Sequence, residues 1–293
     1  MIQRVSAINT GATTKQLNSF YKAYFKPTLE YGLITWLYYI DFSKIKTIIT
    51  LDNAAKRSVL GAIDTTPIAA MNIELDTPPL ELRLELLMAN FLLSTHLHNP
   101  GYLTDILTQN PDGLMFNVIQ NLLQKYNIQN PRQQHSKPEI KSDIYLQWIT
   151  QRESENIGKH HSTINSTPVS KPFHWSFPEL TRKMQVAITR LRLGHAFTHH
   201  HKNKYFGSET FLCRLCGAQR ETIEHLLDHC PVFYQERQQL ELDLLQINPK
   251  FPIEHIDWKL KLGTYKFSRK ILRIITIYLK RTIHKLTLHN IHL

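Results

Sequence analysis

All three cysteines of this 293-residue chain fall in one eighteen-residue window, CRLCGAQRETIEHLLDHC at 213–230. That crowding constrains the local fold more than any other feature. Cys213, Cys216, His225 and Cys230 stand at C-x2-C-x8-H-x4-C. The C-x2-C pair turns both sulfurs to one side of a tight knuckle, and Gly217 frees the backbone just after it. His225 and Cys230 are five residues apart, about one and a half helical turns, so they close the set from a helix start and its flank. Three thiolates and an imidazole select Zn2+ in a tetrahedral site. His229 is a rival fourth ligand. His225 is preferred, because Leu226 and Leu227 anchor it on a packed turn while His229 adjoins Cys230.

Charge is the second constraint. Thirty-five Lys and Arg against twenty-four Asp and Glu give a net +11. The excess gathers at the carboxy-terminal end: residues 246–293 hold ten cations against Glu254 and Asp257. Clustered cations release counterions from phosphate backbones. The candidate contacts to RNA or DNA are Lys266, Arg269, Lys270, Arg273, Lys280 and Arg281 in the tail, with Arg182, Lys183, Arg190 and Arg192 upstream of the cysteine window. Between 266 and 288, Phe267, Ile271, Ile274, Ile275, Tyr278 and Ile283 recur near helical spacing, so the tail reads as a basic amphipathic helix. Its apolar run is too short to span a bilayer. The start MIQRVSAINTG has no apolar signal core, and a metal pattern without a wider disulfide framework fits a reducing compartment. An intracellular place, nuclear or cytoplasmic, with no membrane partner is the expectation.

The rest of the chain predicts helices, a mainly α fold. Thr13 and Gln16 form a capping box, with Leu17, Phe20, Tyr21 and Tyr24 on one face and Pro27 ending the run. A second helix follows Ser43 and stops at Gly61. Thr66-Pro67 and Thr77-Pro78 each set a capping residue before a helix start, and Leu80, Leu84, Leu87 and Phe91 line the helix after the second. Helices over 113–124 and 140–152 are separated by polar, proline-spaced pieces. A helix over 181–193 puts Met184, Ala187, Ile188 and Leu191 on one face. Four parts result: a helical module at 1–95, a flexible connector with short helices at 96–171, a metal module of helices and a knuckle at 172–245, and the basic helical tail at 246–293. His195, His199, His200 and His201 form a further cluster, but adjacent histidines point in different directions.

Two stretches carry a resemblance. Arg190, Leu191, Arg192, Gly194 and His195, then the four candidate ligands, then Pro231, Tyr234 and Arg237 resemble the carboxy-terminal segment of non-LTR retrotransposon polyproteins of the jockey and I-factor type. LNSFYKAYFKPTLEYGLITW at 17–36, LDNAAKRSVLGAIDTTP at 51–67 and PPLELRLELL at 78–87 look like the thumb and connection that follow the polymerase core in the same elements. The resemblance implies a helical thumb-like module, a zinc segment, and RNA or DNA as partner during target-primed reverse transcription, joined to a catalytic reverse-transcriptase core.

Catalysis itself is not expected of this chain. Two-metal polymerase chemistry needs a carboxylate cluster, and the sequence has no Asp-Asp dipeptide. The polar stretch 97–171 offers no ribonuclease H start. Asp257-Trp258-Lys259, with Asp243 upstream, fits half of a nuclease pattern, but no Pro-Asp follows Cys230. The expected function is a non-catalytic fragment or remnant that binds zinc and nucleic acid. The competing reading is a zinc-stabilised protein-interaction module that binds no nucleic acid.

Overall fold

The computed structural model describes residues 6–8, 11–31, 42–102, 105, 114–130, 133–154, 158–165, 172–207, 210–263, 267–289, 291 and 293. Lys266 and Trp36 lie outside the described residues. Those described are mainly helical, as expected, and the one β feature among them is an isolated bridge between Leu212 and Arg220. Two compact units divide the chain, neither continuous in sequence. The first joins Met1–Tyr21, Ala55–Thr77 and Asn156–Leu293; the second joins Lys22–Ala54 and Pro78–Glu155. The linear parts 1–95 and 96–171 therefore each contribute to both units.

In the second unit, α5 (Leu80–His98) is the centre, with Leu82, Leu86, Ala89, Leu92 and Leu93 buried. It packs against α6 (Leu114–Lys125) and α7 (Lys137–Ser154). Ile140, Ile144 and Trp148 fall at i, i+4 and i+8 of α7 and are buried, the stripe that seats this helix. Ser136 opens it with its amide donating to Glu139 Oε2 at 2.7 Å. Both helices expected in the connector thus form, and they belong to a packed core rather than to a solvated linker. The helical run that begins at Thr14 does not stop at Pro27. A π turn at Tyr21–Phe25 leads into α2 (Lys26–Glu30), and Pro27 sits in its first turn, where no helical amide is needed.

In the first unit, α1 (Thr14–Phe20) opens with the expected capping box, Thr13 Oγ1 accepting from the Gln16 amide. Helix α3 (Phe42–Leu60), which begins in the second unit, ends at Gly61 with φ +65°. Helix α4 (Ile68–Glu74) follows Pro67. Neither expected threonine cap forms: the Thr66 hydroxyl is buried without a partner, and that of Thr77 donates to the Leu75 carbonyl. The central helix is α9 (Arg182–Leu193), capped by Thr181 and ended by Gly194 at φ +75°. It packs against α1, α8 (Lys159–Ile164), α12 (Trp258–Leu262) and α13 (Arg269–Leu288), and α13 lies on α11 (Tyr234–Ile247). Ile188, Leu191, Leu227, Phe233, Leu244, Tyr278 and Leu279 share one apolar core, and Cys213 and Cys230 border it.

Candidate metal centre and basic face

The four spaced residues converge. Cys213 Sγ, Cys216 Sγ, His225 and Cys230 Sγ offer ligand atoms that all lie within 4.8 Å of one another. Cys213 Sγ and Cys230 Sγ are 4.0 Å apart, and Cys216 Sγ is 3.3 Å from His225 Nε2. The set can bind a metal ion. His229 is exposed and reaches toward Glu224 at 3.9 Å, so His225 is the imidazole in the cluster.

Local chemistry explains the convergence. The knuckle is closed by the Gly217 amide donating to the Cys213 carbonyl at 2.8 Å and the Cys213 amide donating to Gln219 at 2.7 Å. Gly217 takes φ +68° in open space. A π turn at His225–His229 carries the third ligand, and the Cys230 amide donates back to the His225 carbonyl. His225 Nδ1 lies 3.0 Å from Gln219 Oε1. A carbonyl oxygen only accepts, so the Nδ1 proton is held there and the Nε2 lone pair is left for a ligand bond.

Without a cation two of the three thiols resist ionisation, whereas Cys216 is lowered: burial alone would raise it, but hydrogen bonds from the Ala218 amide and the neighbouring thiols outweigh that. Burial pushes the Cys230 thiol up to about 12, with Cys213 and Cys216 adding to the shift, and burial raises Cys213 as well. A bound cation would favour loss of the Cys213 and Cys230 protons.

A ring of polar contacts braces the cluster. Glu221, fully buried, accepts from the Arg214 amide at 2.8 Å and from its guanidinium, and from the His199 amide at 3.0 Å. Arg237 Nη1 donates to the Cys230 carbonyl at 2.9 Å. Lys261 pairs with Asp228 at 2.7 Å, and the Tyr278 hydroxyl donates to the Leu227 carbonyl at 2.8 Å. Arg214, Glu221, Asp228 and Lys261 carry no signal of their own in the sequence, since an isolated charge does not name its partner, 7 residues away for Arg214 and Glu221 and 33 for Lys261 and Asp228.

The candidate phosphate contacts divide into two classes. Arg182, Arg190 and Arg192 face inward. Arg182 Nη2 donates to the Ser58 carbonyl at 3.0 Å, and its Nη1 to Thr14 Oγ1 at 2.5 Å. Arg190 donates to the Gly61 and Leu293 carbonyls at 2.7 and 2.8 Å. Arg192 is fully buried, and its Nε and Nη2 grip Glu74 Oε1 and Oε2 at 2.7 and 3.0 Å while Nη1 donates to the Leu262 carbonyl. His161 Nε2 meets the same carboxylate at 2.9 Å. Burial alone would raise the Glu74 carboxyl, but Arg192 and His161 hold it far below the usual carboxylate range. These three arginines are fold-building groups here, because helix α9 is covered on nearly every side. Lys183 is half-buried.

The tail residues differ. Arg269, Lys270, Arg273, Lys280 and Arg281 are all exposed on α13, with His284 beside them. Their spacing, at 269, 273, 280, 281 and 284, sets most of them on the face opposite Ile275, Leu279 and Ile283. Arg273 and Lys280 border a groove with Pro178 and Ile277. Asp257 is engaged structurally: it caps α12, its side chain accepting from the Leu260 amide at 2.8 Å.

Among the described residues no helix is long and apolar enough to cross a membrane. No protein-family model, curated protein or solved structure matches the chain.

Proposed function

We propose that this chain is a zinc-stabilised, helical nucleic-acid-binding module, the non-catalytic carboxy-terminal part of a non-LTR retrotransposon reverse transcriptase. The observation that carries the binding role is the exposed cationic face of α13, where five Lys or Arg side chains lie free of the core that the same helix covers with Ile275, Leu279 and Ile283. Such a face contacts phosphates without reading sequence.

Zinc is the metal that the donor set supports. Bonds of about 2.3 Å to sulfur put tetrahedral thiolates about 3.8 Å apart, close to the 4.0 Å between Cys213 and Cys230. All four positions are filled by protein atoms, the pattern of a structural rather than a catalytic site. Its role is to fix the knuckle and the π turn that carry Leu226 and Leu227 into the core. The family assignment rests on the residue patterns around Arg190–His195 and the ligand window. The binding role assigns RNA or DNA as partner, held for a catalytic core elsewhere.

The test is a salt titration. Fluorescence anisotropy of single-stranded RNA with the zinc-loaded chain should show log K falling linearly with log salt. Each neutralised phosphate contributes about 0.7 to the slope on a single strand, so Arg269→Gln, Arg273→Gln, Lys280→Gln and Arg281→Gln together should lower it by up to about 2.8. No binding at low salt by the folded, metal-loaded chain would favour a protein-interaction module instead.

A further inference from the structure

A cleft of about 540 Å³ opens in the first unit, and no residue of α13 lines it. That volume lies in the range of about 300–1,000 Å³ typical of small-molecule sites. Its walls are unusual in holding histidines that have no place in the metal cluster: His160, His195, His200 and His201.

Three features define what could occupy it. The first is a neutral hydrogen-bonding floor. Thr65 Oγ1 lies 3.1 Å from His195 Nδ1 and 3.1 Å from His201 Nε2. A hydroxyl has one proton and two lone pairs, so it can donate to one ring and accept from the other. In that arrangement one imidazole keeps a donor at its remaining nitrogen and the other keeps an acceptor. Burial holds both rings down to about 4, so both are uncharged at neutral pH. The second feature is flat aromatic surface. Trp258 stacks on His160 with ring centroids 4.7 Å apart and 19° between planes, and Tyr205, which tilts against both His195 and His201, stays 42% exposed. The third is position of charge: Lys159 and Lys204, both exposed, stand among the lining residues with one acid, the exposed Glu224.

A site for a bare anion would converge charged donors on its floor; this one pairs a neutral donor with a neutral acceptor. A metal site would gather three or more ligand atoms, and among the described residues the Cys213–Cys230 set is the group that does so. An adjacent donor and acceptor is what a nucleobase edge presents, aromatic rings are what its face stacks on, and lysines are what its phosphate seeks.

We propose that this cleft receives one unpaired nucleobase, with Tyr205 stacking on its face, the His195–His201 pair meeting its edge, and Lys159 and Lys204 holding the attached phosphate. This deepens the nucleic-acid reading and rests on it for the strand that delivers the base. It adds a base-binding pocket to a module whose α13 face contacts only backbone.

The experiment uses free nucleotides, so that it stands apart from the polyanion contacts of α13. The zinc-loaded full chain is titrated calorimetrically with AMP, GMP, CMP and UMP, and with ribose 5-phosphate as the base-free control. At least one nucleotide should bind at least tenfold more tightly than ribose 5-phosphate. Tyr205→Ala should weaken it about tenfold, the size of one lost base stack, and Thr65→Val should weaken it while leaving the exposed surface unchanged. Binding of ribose 5-phosphate as tight as that of every nucleotide, or no nucleotide binding by the wild-type chain, would overturn the pocket. If single-stranded RNA still bound with a steep salt slope in that second case, the phosphate-binding function would stand without it.

Discussion

Arg192 offers the sharpest test of how the first unit is held together. Its guanidinium and the Glu74 carboxylate are both fully buried and joined by two hydrogen bonds of 2.7 and 3.0 Å. Arg192→Met keeps most of the side-chain stem and removes the charge. Glu74 is then left inside the protein against His161, and the Leu262 carbonyl loses a donor. Breaking one side of a buried ion pair costs about 3–5 kcal/mol. Replacing both partners by apolar groups removes the stranded charge, so Glu74→Leu with Arg192→Met should recover much of the loss. Urea denaturation followed by far-ultraviolet circular dichroism measures each variant and closes the double-mutant cycle. A loss below about 1 kcal/mol, the size of an exposed pair, would refute the reasoning. So would a well-folded Arg192→Met chain with a reduced salt slope for RNA binding, which would return Arg192 to the phosphate contacts.

Acid should destabilise the fold before ordinary carboxylates titrate. Burial, with Arg192 nearby, holds His174 down to about 3, and burial holds His160, His195 and His201 to about 4, against 6.5 for a free imidazole. Between those values the unfolded chain binds more protons than the native one, so stability falls as pH drops from about 6.5 toward 4. Glu74, held below the carboxylate range, adds a further loss below pH 4.5. Urea midpoints at pH 7.5, 6 and 5 should decline in that order, and a level series would contradict the buried neutral histidines. Gly194→Ala should cost more than the roughly 1–2 kcal/mol of a left-handed residue, because the new Cβ would lie 2.6 Å from His160 Cγ; an unchanged melting temperature would be inconsistent with that packing.

The elements that were legible in the sequence are those governed by local rules. The capping box at Thr13, the glycine stop at Gly61 and the apolar stripe of α13 each depend on neighbours within a turn or two. The metal cluster was legible for the same reason, since all its ligands fall in one short window. The arginines near the window were misjudged because charge alone does not tell a solvated cation from one with a partner far along the chain. Arg192 meets Glu74 across 118 residues, and the one hint was an acid inside the apolar run IAAMNIEL at 68–75. Pro27 shows the limit of a breaker rule: a π turn shifts the register so that the proline enters a first turn instead of ending a helix. The cleft was invisible, because it assembles Pro67, His160, His195 and Trp258 from separate parts of the sequence.

Cys213, Cys216, His225 and Cys230 converge within 4.8 Å, a set that one metal ion would complete. Native mass spectrometry of the purified chain, paired with elemental analysis, tests it directly. One zinc per chain is the predicted result, retained in His229→Ala, weakened in His225→Ala and lost in Cys230→Ser, with the near-ultraviolet signal of the packed core fading as the metal leaves. A metal-free chain that keeps its tertiary signal, or full zinc content in Cys230→Ser, would contradict the account.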